Sequence, residues 1–109
     1  MTEWYRMSAL ELAEGIRTRA FSSEEVTSYF LDRIPERQEQ VGAFALFPPK
    51  TALQAARKAD KKVGQSAPED LPLLHGVPSG IKDLVLTRGI RTQLGSRAYK
   101  YFIPPFSAP

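Results

Sequence analysis

Leu74-His75-Gly76-Val77-Pro78-Ser79-Gly80-Ile81-Lys82-Asp83-Leu84-Val85-Leu86 carries the clearest chemical signal in this 109-residue chain. Its centre is a lysine among small and apolar residues, preceded by Gly76, Pro78 and Gly80 and followed by Thr87-Arg88-Gly89-Ile90-Arg91-Thr92-Gln93-Leu94-Gly95-Ser96. Read with a period of two, Ile81 and Asp83 share one face of an extended segment, and Lys82 and Leu84 share the other. Lys82 therefore need not pair with Asp83. An ammonium among apolar side chains loses hydration, which favours the neutral amine, and a neutral amine is a general base. Moving a lysine from its reference value of about 10.4 to about 7 takes roughly 4 to 5 kcal/mol of differential interaction, within reach of burial or nearby cations. Most lysines are solvated surface charges, and the local sequence leaves both readings open.

Working outward, Gly76-Val77-Pro78-x-Gly80-Ile81-Lys82-Asp83-Leu84, then Gly89-Ile90-Arg91-Thr92, then Gly95-Ser96, resembles the lysine segment of the amidase signature family. Earlier residues agree in order: Ser8-Ala9-Leu10-Glu11-Leu12-Ala13, Ser22-Ser23-Glu24-Glu25-Val26, Asp32-Arg33-Ile34, Gly42-Ala43-Phe44 and Ala52-Leu53-x-Ala55-Ala56-x-x-Ala59-Asp60. The resemblance runs from about residue 7 to the end of the chain.

Helix signals come first along the chain. Ser8 with Glu11 forms a capping box that opens a helix over 8–20, with Leu10, Ala13 and Ile16 on its inner face and Gly15 weakening it. Ser22 with Glu25 repeats the device, and Val26, Tyr29, Phe30 and Ile34 follow at helical spacing until Pro35 breaks the pattern. That aromatic stripe reads as core. Trp4 and Tyr5 likewise read as packing onto their own domain rather than as an anchor for a partner. Glu36 to Gln40 is expected as a polar connector, and Val41-Gly42-Ala43-Phe44-Ala45-Leu46-Phe47 as a short buried strand. Pro48-Pro49 opens a third helix, with Ala52, Ala55, Ala56, Ala59 and Val63 inward and Arg57, Lys58, Lys61 and Lys62 on a solvated face. A loop over 64–70 precedes the lysine stretch, and 96–101 reads as a short helical turn before Pro104-Pro105.

Helix, helix, strand, helix and a lysine-bearing strand make an α/β order. The resemblance implies that residues 1–109 are the N-terminal part of a single amidase-type domain, a mixed sheet covered by helices that is incomplete in this chain. Cut there, exposed strand edges make a fragment marginal or dependent on a partner.

Composition limits the chemistry. Forty-two per cent hydrophobic and 25% charged residues suit a globular domain, and a net charge of +3, from 15 basic and 12 acidic residues, is mild. No direct nucleic-acid partner is expected from it. The absence of cysteine removes disulfides, thiolate metal sites and a cysteine nucleophile. No run approaches a membrane span and the charged N-terminus is unlike a signal peptide, so a cytoplasmic protein without membrane contact is the default. His75, the lone histidine, reads as a hydrogen-bonded structural residue, and neither a metal nor any other cofactor is expected.

The resemblance implies a serine nucleophile, a second serine held in a cis peptide, and a lysine that starts the proton relay. Only the lysine maps here, onto Lys82. The serines belong to a Gly-Ser-rich segment downstream; Ser79 and Ser96 are not substitutes, and Ser96 reads as structural. In the family an acidic residue is usual where Ser107 stands. Three functions follow in order: the N-terminal segment of an amidase hydrolysing a small carboxylic amide, inactive alone; a fragment of one subunit of a glutamine-dependent tRNA amidotransferase; and a non-catalytic binding module. The substrate-binding residues and the amide remain unassigned, and an oligomer is compatible with each reading.

Overall fold

The computed structural model describes residues 3–41, 49–80, 88–91, 98 and 101–108. Two compact units emerge, Met1–Pro78 and Ser79–Pro109. The first holds the helices: a 3-10 turn over Trp4–Arg6, then α1 (Ala9–Arg17), α2 (Ser23–Val41) and α3 (Pro49–Gln65), with a second 3-10 turn at Pro68–Asp70. α3 packs against both of the others, most extensively against α2.

Local chemistry explains where α1 and α2 begin. Ser8 Oγ accepts from the Glu11 backbone N–H at 3.1 Å while the Glu11 carboxylate accepts from the Ser8 N–H at 3.1 Å. Ser22 and Glu25 do the same at 3.0 and 3.1 Å. Each box satisfies two donors that a helix start leaves orphaned.

α1 stops at Arg17, three residues short of the expected end. Arg19 sits in the left-handed region at φ 62°, and the Arg19 and Ala20 N–H groups reach back to the carbonyls of Ile16 and Gly15 at 3.2 and 2.9 Å. This is a Schellman closure built on an arginine instead of the usual glycine. The Arg19 guanidinium also donates to the Val63 carbonyl near the end of α3, at 3.4 Å.

α2 corrects a second expectation. It runs through Pro35 to Val41, so residues 36–40 are helical rather than a connector, and Val41 closes the helix rather than opening a strand. Proline forfeits one intrahelical bond but does not end a helix when good helix formers follow, here Glu36, Arg37 and Gln38. Residues 42–47 lie outside the described ones, as does most of the lysine-bearing strand; the described residues are helical with no strand, so the expected sheet is not visible among them. α3 begins at Pro49 as expected and continues to Gln65, past the expected loop boundary at Gly64.

The core lies where the helices meet. Leu12, Ala13, Ile16, Val26, Ala56, Val63 and Leu71 are buried. Leu10, expected inward, is 57% exposed, and Leu12 takes its place; Ala55 is exposed as well. Trp4 packs on the rings of Phe21 and Tyr29, each 5.3 Å between centroids, and Tyr29 meets Phe30 edge-on at 5.1 Å. The expected aromatic packing is present. Tyr5 remains partly exposed under the Arg33 guanidinium, 4.3 Å from its ring centre.

Asp60 of α3 joins two helices. Its carboxylate accepts from the Ser23 and Glu24 N–H groups at 2.7 and 2.9 Å, the first two donors of α2. Together with the Ser22 box, every free donor of the first turn is met, and the negative charge lies at the positive end of the helix dipole. Asp60→Ala is expected to cost about 2 kcal/mol through two lost charge-assisted bonds, read as a lower urea midpoint by circular dichroism; an unchanged midpoint would remove Asp60 from the folding account.

Candidate functional site

The approach to the lysine is held by all three helices. After the buried Leu71, the chain turns: the His75 N–H donates to the Pro72 carbonyl at 3.1 Å and the Val77 N–H to the Leu74 carbonyl at 3.2 Å. From α1, the Arg17 guanidinium donates to the Pro72 and Leu73 carbonyls at 3.4 and 3.3 Å. From α2, Ser23 Oγ donates to the Gly76 carbonyl at 2.6 Å. To α3, His75 Nε2 donates to the Ala59 carbonyl at 2.9 Å. A carbonyl only accepts, so the proton sits on Nε2. His75 is therefore the hydrogen-bonded structural histidine its sequence context suggests.

Gly76 is required twice over. Its φ of +81° is unfavourable for a side chain, and a Cβ there would stand 3.1 Å from Ile16 Cγ2 and 3.2 Å from Ser23 Cβ. Val77 then packs on the Ile16, Val63 and Leu71 cluster. The motif glycine lets the backbone lie directly on the start of α2, where the Ser23 side chain is only 1% exposed. Ser23→Ala would strand the Gly76 carbonyl and is expected to cost about 1 to 2 kcal/mol. The matching observation is a faster amide exchange at His75–Val77; protection equal to wild type would show the bond to be dispensable.

Lys82 itself lies outside the described residues, as do Ile81, Asp83–Thr87 and Ser96. Ser79 is exposed. Among the described residues no three His, Asp or Glu side chains gather in a way that would hold a metal ion, and no described helix is long and apolar enough to cross a membrane.

The second unit carries its own turn. Gly89 adopts φ +77° and its N–H donates to the Pro104 carbonyl at 3.1 Å. The Arg88 N–H donates to Ser107 Oγ at 3.0 Å. Ser107, where the resemblance leads one to expect an acidic side chain, accepts this bond through its hydroxyl oxygen.

Arg17, Ser23 and Asp60 escape a reading of the sequence for function. Ser22-Ser23 looks like one cap written twice, and only the neighbours of each hydroxyl separate their roles. Asp60 stands among Lys58, Lys61 and Lys62, where a lone carboxylate looks like part of a solvated face.

Comparison with known proteins adds what the geometry lacks. The A subunit of glutamyl-tRNA(Gln) amidotransferase from Cutibacterium acnes is 42% identical over 108 residues, covering 99% of this chain and 21% of that protein. The proteins of the same name from Geobacter sp. strain M21 and Chlamydia pneumoniae are 40% and 42% identical over 106 and 104 residues, each covering 95% of this chain and 21% of the relative. The chain thus spans about a fifth of the length of the curated relatives it matches. A family model described as Amidase matches residues 25–109, a span that takes in nearly all of α2, the whole of α3, the moored turn and the lysine stretch. On that match, the chain belongs to the amidase family.

Proposed function

We propose that this chain supplies the lysine-bearing portion of the A subunit of a glutamine-dependent tRNA amidotransferase, which releases ammonia from glutamine for transfer to a misacylated tRNA. One observation carries the choice over a simple amidase: relatives 34 to 42% identical across at least nine-tenths of this chain are named as the A subunit of glutamyl-tRNA(Gln) amidotransferase.

In this reading Lys82 is the base that begins the relay. Its neutral amine takes a proton from a serine held in a cis peptide, that serine takes one from the nucleophilic serine, and the nucleophile attacks the glutamine side-chain carbonyl. The C–N bond breaks, ammonia leaves with the returned proton, and the acyl-serine ester is hydrolysed. Both serines belong to sequence beyond these 109 residues, as do the donors that stabilise the oxyanion. The moored turn at 71–78 supports the reading by giving the lysine segment a fixed point of departure.

The test uses the enzyme that contains this segment, with its partner subunits. Ammonia release from glutamine, raised by a misacylated tRNA, is the expected result. Hydrolysis of simple amides with indifference to glutamine would overturn the proposal in favour of an amidase hydrolase.

A further inference from the structure

Taken alone, the sequence presents the cations of α3 as a solvated face. Two features of the folded helix alter that. First, α3 carries five cations, Lys50, Arg57, Lys58, Lys61 and Lys62, against one carboxylate, Asp60, and that carboxylate is spent on the first N–H groups of α2. At 100° per residue the five cations fall within an arc of about 140°, with Asp60 outside it, and they extend over about 18 Å of helix. Second, Lys50, Lys58, Lys61 and Lys62 are exposed and have no ion-pair partner among the described residues; Arg57 alone is engaged, with Glu24 at 3.3 Å. The outer face is therefore of one sign.

Its other members narrow the partner. Thr51, Gln54 and Gln65 lie in the same arc and are exposed, and no large apolar or aromatic side chain accompanies them. Protein interfaces are depleted of lysine and centred on aromatic or apolar anchors, and a helix that inserts into a membrane surface needs an apolar face beside its cations. Neither is offered here. Ammonium groups with amides and a hydroxyl between them match a ribose-phosphate backbone, where lysine acts as a point charge and the polar side chains bond phosphate or 2′-hydroxyl.

We propose that the outer face of α3, through Lys50, Lys58, Lys61 and Lys62, binds the sugar-phosphate backbone of RNA without reading its bases. The inference rests on the amidotransferase reading, which brings an RNA to this protein. Four neutralised phosphates imply that affinity falls roughly 50- to 150-fold between 50 and 200 mM salt, by counterion release at a slope of about 0.7 to 0.9 per contact.

The experiment is fluorescence anisotropy of a labelled RNA hairpin with a single-stranded 3′ end, titrated at several salt concentrations with the enzyme that carries this segment. Wild type is expected to bind with that salt dependence. The triple variant Lys58→Gln, Lys61→Gln, Lys62→Gln keeps good helix formers at exposed positions; it is expected to retain its circular dichroism and to lose at least tenfold in affinity at low salt, with a shallower slope. Absence of binding by wild type, or binding the triple variant leaves unchanged, overturns the proposal. An affinity for anionic phosphatidylserine-containing vesicles equal to that for the RNA also overturns it, since the face would then be a general polyanion surface. Failure of the underlying functional reading shows elsewhere, as a lack of ammonia release from glutamine by the wild-type enzyme measured without RNA.

Discussion

Lys82→Ala, made in the enzyme that carries this segment, is expected to slow ammonia release from glutamine by about 10²- to 10⁴-fold, the usual contribution of a positioned acid-base group. The loss should appear in kcat with little change in KM, because the amine is proposed to act on the relay serines rather than to bind glutamine. Lys82→Arg should be nearly as inactive: a guanidinium cannot give up its proton in a protein and so cannot serve as a base. The two variants together separate a base from a mere positive charge. Arginine restoring activity, or alanine leaving kcat within a few-fold of wild type, would sink the role proposed for Lys82.

The second large effect concerns folding. Gly15→Val is expected to destabilise the protein by roughly 3 kcal/mol, toward the upper end of what overpacking costs. Gly15 is buried in α1, and a Cβ built there would overlap the tip of the Phe21 ring. That ring cannot withdraw freely, since Trp4 packs against it with centroids 5.3 Å apart. Helix propensity alone gives the opposite sign for Gly15→Ala, a gain of about 1 kcal/mol over glycine. The decisive measurement is a double-mutant cycle in urea with Gly15→Ala and Phe21→Leu. A smaller side chain at 21 should rescue the alanine, so a coupling of at least about 1 kcal/mol is expected. Additive effects would mean that Phe21 is not what glycine makes room for.

Gly15 also illustrates how far local rules reach. As a residue it weakens a helix, and in the folded protein it is the one residue that lets a ring lie on the helix backbone. Pro35 is the reverse case. The penalty of proline is local and real, yet α2 passes through it to Val41, because the loss of one hydrogen bond is weighed against a whole helix packed on α3. Leu10 and Leu12 exchanged places for a related reason: several phases of a short amphipathic helix are compatible with its pattern, and the neighbouring helix selects one.

Part of the candidate site was legible and part was not. The Gly76-to-Leu84 motif named the family without any coordinates, and His75 was readable as structural because a lone histidine beside a turn commonly bonds to backbone. Ser23, Arg17 and Asp60 were not, since each bonds across at least 36 positions. No local pattern encodes such a partner.

Features that close within one turn of chain are legible from the residues alone: the reciprocal caps Ser8–Glu11 and Ser22–Glu25, the proline that opens α3, and the motif that places the chain in the amidase family. Packing in three dimensions sets which face of each helix is inward, brings Asp60 to the start of α2, and lets Ser23, Arg17 and Ala59 tether the turn at 72–76. Caps close over three residues and are set by nearest neighbours, whereas these later bonds join distant segments and exist only once packing has brought their donors and acceptors together.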